Sequence, residues 1–325
     1  ARKNPREAYQ VLQWMVNNAH NHPVPLIPRV SSFASTISAF AKAGDPEAGL
    51  EIIHWMLSES KKEQSIMPSP NSFCFNALMD ACAKSAWKVT GQKAEQTLEW
   101  MQQLHQTEDL DTEPTSLSYA ICINAWARSE DLPEAPFRAE SILRKLIASY
   151  QQGNGVAPSE EAFTSVMNAW ASSNNKNSNA PEKVEALLDL MKQIAATSNQ
   201  LQVTSIPYTV WIKAWETVTR QRSQRQDQQK CADNALGVLT QMKQDGVTPT
   251  APTYNALIMA LLVTSPANAI FYFLGLEESY RQKTVSLETR TFNCALNAIA
   301  TGNKPDFAEK AMNLLQRMFD YARDD

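Results

Sequence analysis

Apolar residues recur along the chain at helical spacing, and each run begins at an aromatic. Phe75, Leu78, Met79 and Cys82 follow the i, i+3, i+4, i+7 rule of one helix face. Tyr119, Cys122, Ile123 and Trp126 do the same, as do Phe163, Val166, Met167 and Trp170. Tyr208, Trp211, Ile212 and Trp215 repeat the pattern, followed by Tyr254, Leu257, Ile258 and Leu261 and, more weakly, by Phe292, Ala295, Leu296 and Ile299. The first copy is Phe33, Thr36, Ile37 and Phe40. These seven aromatics stand 42, 44, 44, 45, 46 and 38 residues apart, which is the regularity of a repeat array. Each stripe predicts one amphipathic helix, helix A of its unit.

A second amphipathic stretch follows, small near its start and large and apolar near its end: 48–56, 94–101, 139–146, 184–191, 235–242 and 308–318. This is helix B. The opening residues Ala8, Leu12 and Met15 match helix B alone, and the sixth B helix, around 266–280, keeps Ile270, Phe273 and Leu274 but no terminal methionine. Breakers separate the elements, among them Gly44-Asp45-Pro46, Pro68 to Pro70, Glu113-Pro114 and Thr248-Pro249. Polar inserts at 172–179 and 220–230 read as solvated loops or frayed helix ends.

One helical pair cannot cover its own apolar face, so the pairs must stack. The expected fold is all-α: a single right-handed α-solenoid of about seven helix-turn-helix repeats over 1–325. The units are a partial one at 1–29, then 30–71, 72–115, 116–159, 160–204, 205–250, 251–288 and 289–325.

Composition agrees with helix. Nine glycines in 325 residues leave little for tight β-turns or phosphate loops. A net charge of −4 and a pI near 5.7 argue against non-specific DNA binding, so any nucleic-acid contact must be local. Five cysteines, an odd number without a CxxC pair, point away from a disulfide framework or a zinc site. The longest apolar run, Ala256 to Val263, is far short of a membrane span. The chain opens on Ala1 rather than methionine, which is consistent with an N-terminus that is missing or processed, as by loss of a transit peptide.

Phe75 followed by Asn76 to Lys84, and Gln241 to Thr250 followed by Thr253-Tyr254-Asn255, resemble the pentatricopeptide repeat, and the resemblance covers nearly the whole chain. The period exceeds the compact one and in this resembles expanded repeats of protist organelles. The resemblance implies an organelle, mitochondrion or plastid, and single-stranded RNA as the partner. It also implies that the residue after each helix A aromatic and the last residue of the repeat together read one base. The first place falls on Asn76, Thr164, Thr209, Asn255 and Asn293, with Ala34 and Ala120 in two units; the second falls on Asn71, Thr115, Ser159, Thr204, Thr250 and Glu288. An apolar residue that wedges between bases falls on Phe73, Leu117 and Ile206, but on Ser31, Glu161, Pro252 and Arg290 elsewhere. A phosphate-binding cation falls on Lys42, Lys84 and Arg128, and the last four units lack one, so RNA contacts are expected chiefly in the first three.

The tryptophans share the buried stripe, so Trp126, Trp170, Trp211 and Trp215 are read as core rather than as stacking platforms. Lys42, Lys84 and Arg128 are equally what the dipole favours near helix C-termini. Arg220, Arg222, Arg225 and Lys230 are diluted by glutamines and read as a solvated loop. No HExxH, GxGxxG, Walker or GxSxG motif occurs, and His20-Asn21-His22 is a weak metal pattern. The expectation is a non-catalytic protein without a cofactor or metal. Two readings remain: an organellar protein that binds single-stranded RNA, favoured by Asn76, Thr164 and Thr209, and a scaffold or accessory subunit of a large organellar protein assembly, favoured by Ala34, Ala120 and Glu161. The RNA reading is preferred because of the family resemblance.

Overall fold

The computed structural model describes residues 4–18, 27–62, 65–84, 90–108, 110–129, 132–153, 157–173, 179–198, 201–262, 264–281, 289–301, 309 and 311–316. Glu288, Ala308, Met318, His20 and His22 and most of the 172–179 insert lie outside them, as does the side chain of Arg290.

The described residues form helices joined by turns, with no strand among them. In chain order the helices are α1 (Pro5–Asn18), α2 (Val30–Ala43), α3 (Pro46–Ser60), α4 (Ser72–Lys84), α5 (Thr90–Glu108), α6 (Ser116–Ala127) and α7 (Ala135–Gln151). They continue as α8 (Glu160–Ala171), α9 (Ala180–Thr197), α10 (Ser205–Gln221), α11 (Arg225–Gln244), α12 (Ala251–Leu261), α13 (Pro266–Arg281) and α14 (Thr289–Thr301); residues 311–316 are also helical. The even-numbered helices carry the seven aromatic anchors and are the A helices. The odd-numbered ones are the B type, α1 included.

The chain divides into two compact units, Ala1–Ala169 and Trp170–Asp325. In the first, α2 packs on α4 and α4 on α6; α3 and α5 each seat against two successive A helices, α1 lies on α2 and α7 on α6. In the second, α10, α12 and α14 pack in series, α11 and α13 fill the intervals, and α9 lies on α10. Each unit is therefore a stack of hairpins with the α-solenoid architecture.

The stripes are the core. Phe33, Phe75, Phe163 and Tyr208 are fully buried, and so are Met56, Met101, Leu146, Met191 and Met242 near the ends of their B helices. The unbranched Met side chain adapts to the irregular gap between two A helices. Trp126, Trp170 and Trp211 are buried, whereas Trp215, Tyr254, Leu296 and Ile299 are half-buried. In α13 the inward face is Ala269, Phe273 and Leu276, while Leu274 points outward. That corrects the sequence reading by one helical step, because Leu276 lies near the i+7 position from Ala269 that the buried face demands.

Turn chemistry sets the hairpins. Gly44 closes α2 at φ 79° with its N–H on the Ala41 carbonyl, and the Asp45 N–H reaches the Phe40 carbonyl at 3.0 Å. Asp45 then caps α3, accepting from the Ala48 N–H at 3.1 Å. The 220–230 insert is mostly helix, not loop: α10 runs to Gln221 and α11 starts at Arg225. Arg, Gln and Lys are good helix formers, so a polar run prolongs the neighbouring helices where no breaker intervenes.

Polar ties bind A to B helices in both units. In the first unit the Trp126 Nε1 donates to the Glu95 carboxylate at 3.0 Å, and the Arg138 guanidinium lies 3.7 Å from that carboxylate. The ring fits there because α5 presents Gly91, where a Cβ would stand 2.4 Å from Trp126 Cδ2. In the second unit Asp245, just after α11, accepts from Lys192 at 2.6 Å, from Gln241 at 3.0 Å and from the Tyr208 hydroxyl.

Burial by itself would raise the Asp245 pKa, but the hydrogen bonds from Lys192, Tyr208 and Gln241 outweigh it and hold the carboxyl below its ordinary 3.8. A depressed carboxyl stabilises the fold fully above 3.8 and ceases to do so as pH falls through the lower folded value. Asp245→Asn is accordingly expected to lower the unfolding free energy by about 1 kcal/mol at pH 7, a figure reduced for the partial exposure of the pair. Urea titrations from pH 7 to pH 2 should show that gap closing below pH 4; a gap independent of pH would mean the charge plays no part.

Candidate nucleic-acid interface

With the aromatic of each A helix pointing into the core, the next residue is turned about 100° around the axis and the fifth along returns to the same side. In the first unit this gives a groove of about 860 Å³ across α2, α4 and α6. Ala34, Ser38 and Lys42 line it from α2, Asn76 and Asp80 from α4, and Leu117 from α6, with Phe73 and Asn71 at one end. In the second unit a groove of about 520 Å³ runs across α10, α12 and α14, lined among others by Thr209, Lys213, Pro252, Asn255, Asn293 and Asn297.

Four of the five polar first-place residues thus stand in a groove: Asn76 in one, Thr209, Asn255 and Asn293 in the other. Asn76 and Asn255 are 7% and 5% exposed, and the amide oxygen of each is enclosed without a hydrogen-bond partner among the described residues. Thr164 is buried and its hydroxyl donates to the Glu161 carbonyl at 3.2 Å. Thr209 donates to the Ser205 carbonyl at 2.9 Å and shares a 2.8 Å contact with the Thr253 hydroxyl.

The second-place residues sit at helix starts, and the local backbone uses their side chains. Thr115 accepts from the Ser118 N–H at 3.3 Å, while the Ser118 hydroxyl accepts from the Thr115 N–H at 3.0 Å, a reciprocal box. Thr250 pairs with Thr253 in the same way, and Thr204 accepts from the Ile206 N–H at 3.2 Å. Asn71 accepts from the Phe73 N–H at 3.1 Å. Of these residues Asn71 lines the first groove.

The wedge positions behave differently. Phe73, Leu117 and Ile206 are 69%, 55% and 52% exposed, large apolar side chains held in solvent. Among the cations, Lys42 lines the first groove and makes no ion pair among the described residues. Lys84 pairs with Asp80 one turn back on α4, so its charge is balanced beside the groove. Arg128 is exposed just after α6.

Sequence reasoning missed a second rung. Ser38, Asp80, Lys213, Met259 and Asn297 each line a groove four residues after a first-place residue, where i and i+4 share a helix face. The same spacing rule that located the core would have found them.

All five cysteines are buried and stand outside disulfides, and burial pushes the Cys74 and Cys82 thiols up to about 11 and Cys122 higher still, away from thiolate chemistry. Among the described residues no cluster of three His, Cys, Asp or Glu could hold a metal ion, and no helix is long and apolar enough to cross a membrane.

A family model, the pentatricopeptide repeat domain, matches residues 226–262, which take in most of α11, the Asp245-Gly246 turn and α12. In fold the chain is similar to the crystal structure of the pentatricopeptide repeat protein PPR10 from maize, with 18% identity over 92% of this chain and a TM-score of 0.55. One stretch of the chain is thus matched as a pentatricopeptide repeat, within a fold similar to that of the maize protein. The chain spans 35% of the length of that maize chain. The crystal structure of the pentatricopeptide repeat protein PPR10 in complex with an 18-nt psaJ RNA element aligns at 16% identity and a TM-score of 0.46, over 98% of this chain and 42% of that one. No curated protein matches.

Proposed function

We propose that this chain is a pentatricopeptide repeat protein that holds single-stranded RNA, a transcript or ribosomal RNA segment of a mitochondrion or plastid, along the groove side of its A helices. It does so for processing, stability or translation, without performing chemistry on the strand. The observation that carries this reading is the exposure of Phe73, Leu117 and Ile206 at the same place in three repeats. Large apolar groups in water cost free energy of roughly 25 cal/mol per Å² relative to burial. Base faces are surfaces that such apolar groups fit, and stacking on them is tolerant of sequence. The grooves beside them supply amide edges at Asn76, Asn255 and Asn293 and a cation at Lys42.

Lys42 tests the reading directly. In fluorescence anisotropy titrations of the full chain against RNA enriched from a random pool, Lys42→Ala should reduce the slope of log K against log salt by about 0.7, one phosphate contact on a single strand. A wild-type chain that retains no RNA from such a pool would turn the balance to the alternative, a protein scaffold of a large organellar assembly. Glu161 favours that alternative: it is an exposed carboxylate at a wedge position, where it repels a phosphate chain.

A further inference from the structure

The family register leaves the last four repeats without a phosphate-facing cation, yet the groove of the second unit contains two. Lys213 and Arg220 both line it from α10. Arg220 is matched by Glu216, whose carboxylate also lines the groove 3.4 Å from the guanidinium. Lys213 is exposed, and its ammonium makes no ion pair or hydrogen bond among the described residues. The groove therefore carries one uncompensated positive charge, and it sits one turn beyond Thr209 on the same helix face.

A second, independent feature marks this groove as a ligand site. Asn255, on the neighbouring helix α12, is nine-tenths buried and lines the same groove with its amide oxygen unpartnered. Buried polar atoms in folded proteins are almost always bonded, so an orphan in a groove wall signals a partner supplied from outside. The terminal amide torsion of Asn is soft, and a modest turn presents the oxygen to a donor in the groove. Asn293 and Asn297 add two more amides from α14. A row of neutral amides that reads donors and acceptors, with a single cation beside it, fits a chain of bases on a phosphodiester backbone. A compact anion would need its charge surrounded instead.

Building on the RNA reading above, we propose that Lys213 is the phosphate contact of the second unit, gripping the backbone of a single-stranded RNA whose base edges meet Asn255 and Asn293. The position is distinct from that of Lys42, Lys84 and Arg128, each near the end of its A helix.

The test uses the full chain and a fluorescein-labelled 24-nucleotide RNA enriched from a random pool, titrated between about 50 and 200 mM salt. Lys213→Ala should weaken binding about fivefold at the low-salt end and lower the salt slope by about 0.7, while Lys213→Arg keeps both near the wild-type values. Unchanged circular dichroism melts exclude misfolding of the variant. If Lys213→Ala leaves the slope intact while Lys42→Ala lowers it, the proposal about Lys213 is overturned and the RNA function stands. If the wild-type chain binds no RNA, both fall. Displacement of the probe by adenosine monophosphate at a concentration of nucleotide units equal to that of unlabelled RNA would overturn the strand in favour of a mononucleotide.

Discussion

Trp126→Ala is expected to lower the unfolding free energy of the first unit by about 4 kcal/mol. The ring is 1% exposed, between α5 and α6, so its removal leaves a cavity that the two helices cannot close without breaking their contacts with α4 and α7. The loss is not only volume. Glu95, itself buried, gives up the indole N–H donor at 3.0 Å and keeps, among the described residues, the more distant Arg138, and a buried carboxylate that loses a donor costs more than a neutral group would. Trp126→Phe separates the two contributions, since it retains most of the ring but no donor, and should lie between the alanine variant and the wild type. Urea denaturation followed by circular dichroism measures both. An alanine variant within about 1 kcal/mol of wild type would mean the helices collapse onto the space.

The largest expected effect on binding is that of Phe73→Ala: a loss of RNA affinity of about tenfold or more, the range found when an aromatic stacking partner of one base is removed. Phe73 is well suited to isolate function from folding. It is the most exposed of the three wedge residues, lining the first groove with its backbone N–H bonded to Asn71. Its truncation should leave the urea midpoint in place and the salt slope unaltered, because no charge is removed. Filter retention of labelled RNA at fixed salt reads the affinity. Full affinity in the variant would remove the stacking contribution at this repeat and weaken the case for base contacts at Leu117 and Ile206 with it.

Much of the scaffold was legible beforehand because a helix that buries one face writes a 3.6-residue period into its sequence. The seven anchors from Phe33 to Phe292 all start A helices, and the methionines at 56, 101, 191 and 242 all close B helices in the core. Leu274 is the instructive exception. A run as apolar as 269–276 offers two faces with similar patterns, so periodicity alone could not choose between Leu274 and Leu276. The 220–230 insert failed for another reason, since polarity reports exposure and not the absence of helix.

The repeat period and the all-α fold follow from the order of residue types alone, because local helix geometry converts spacing directly into direction. Which polar groups remain available is decided only by neighbours brought close in space. The hydroxyls of Thr115, Thr204 and Thr250 are taken up by helix caps, the charge of Lys84 by Asp80, and that of Arg220 by Glu216. Lys42 and Lys213 are left facing the grooves. Hydrogen bonds and ion pairs depend on distances of a few ångströms between side chains, and spacing along a chain does not contain those distances until the hairpins have stacked.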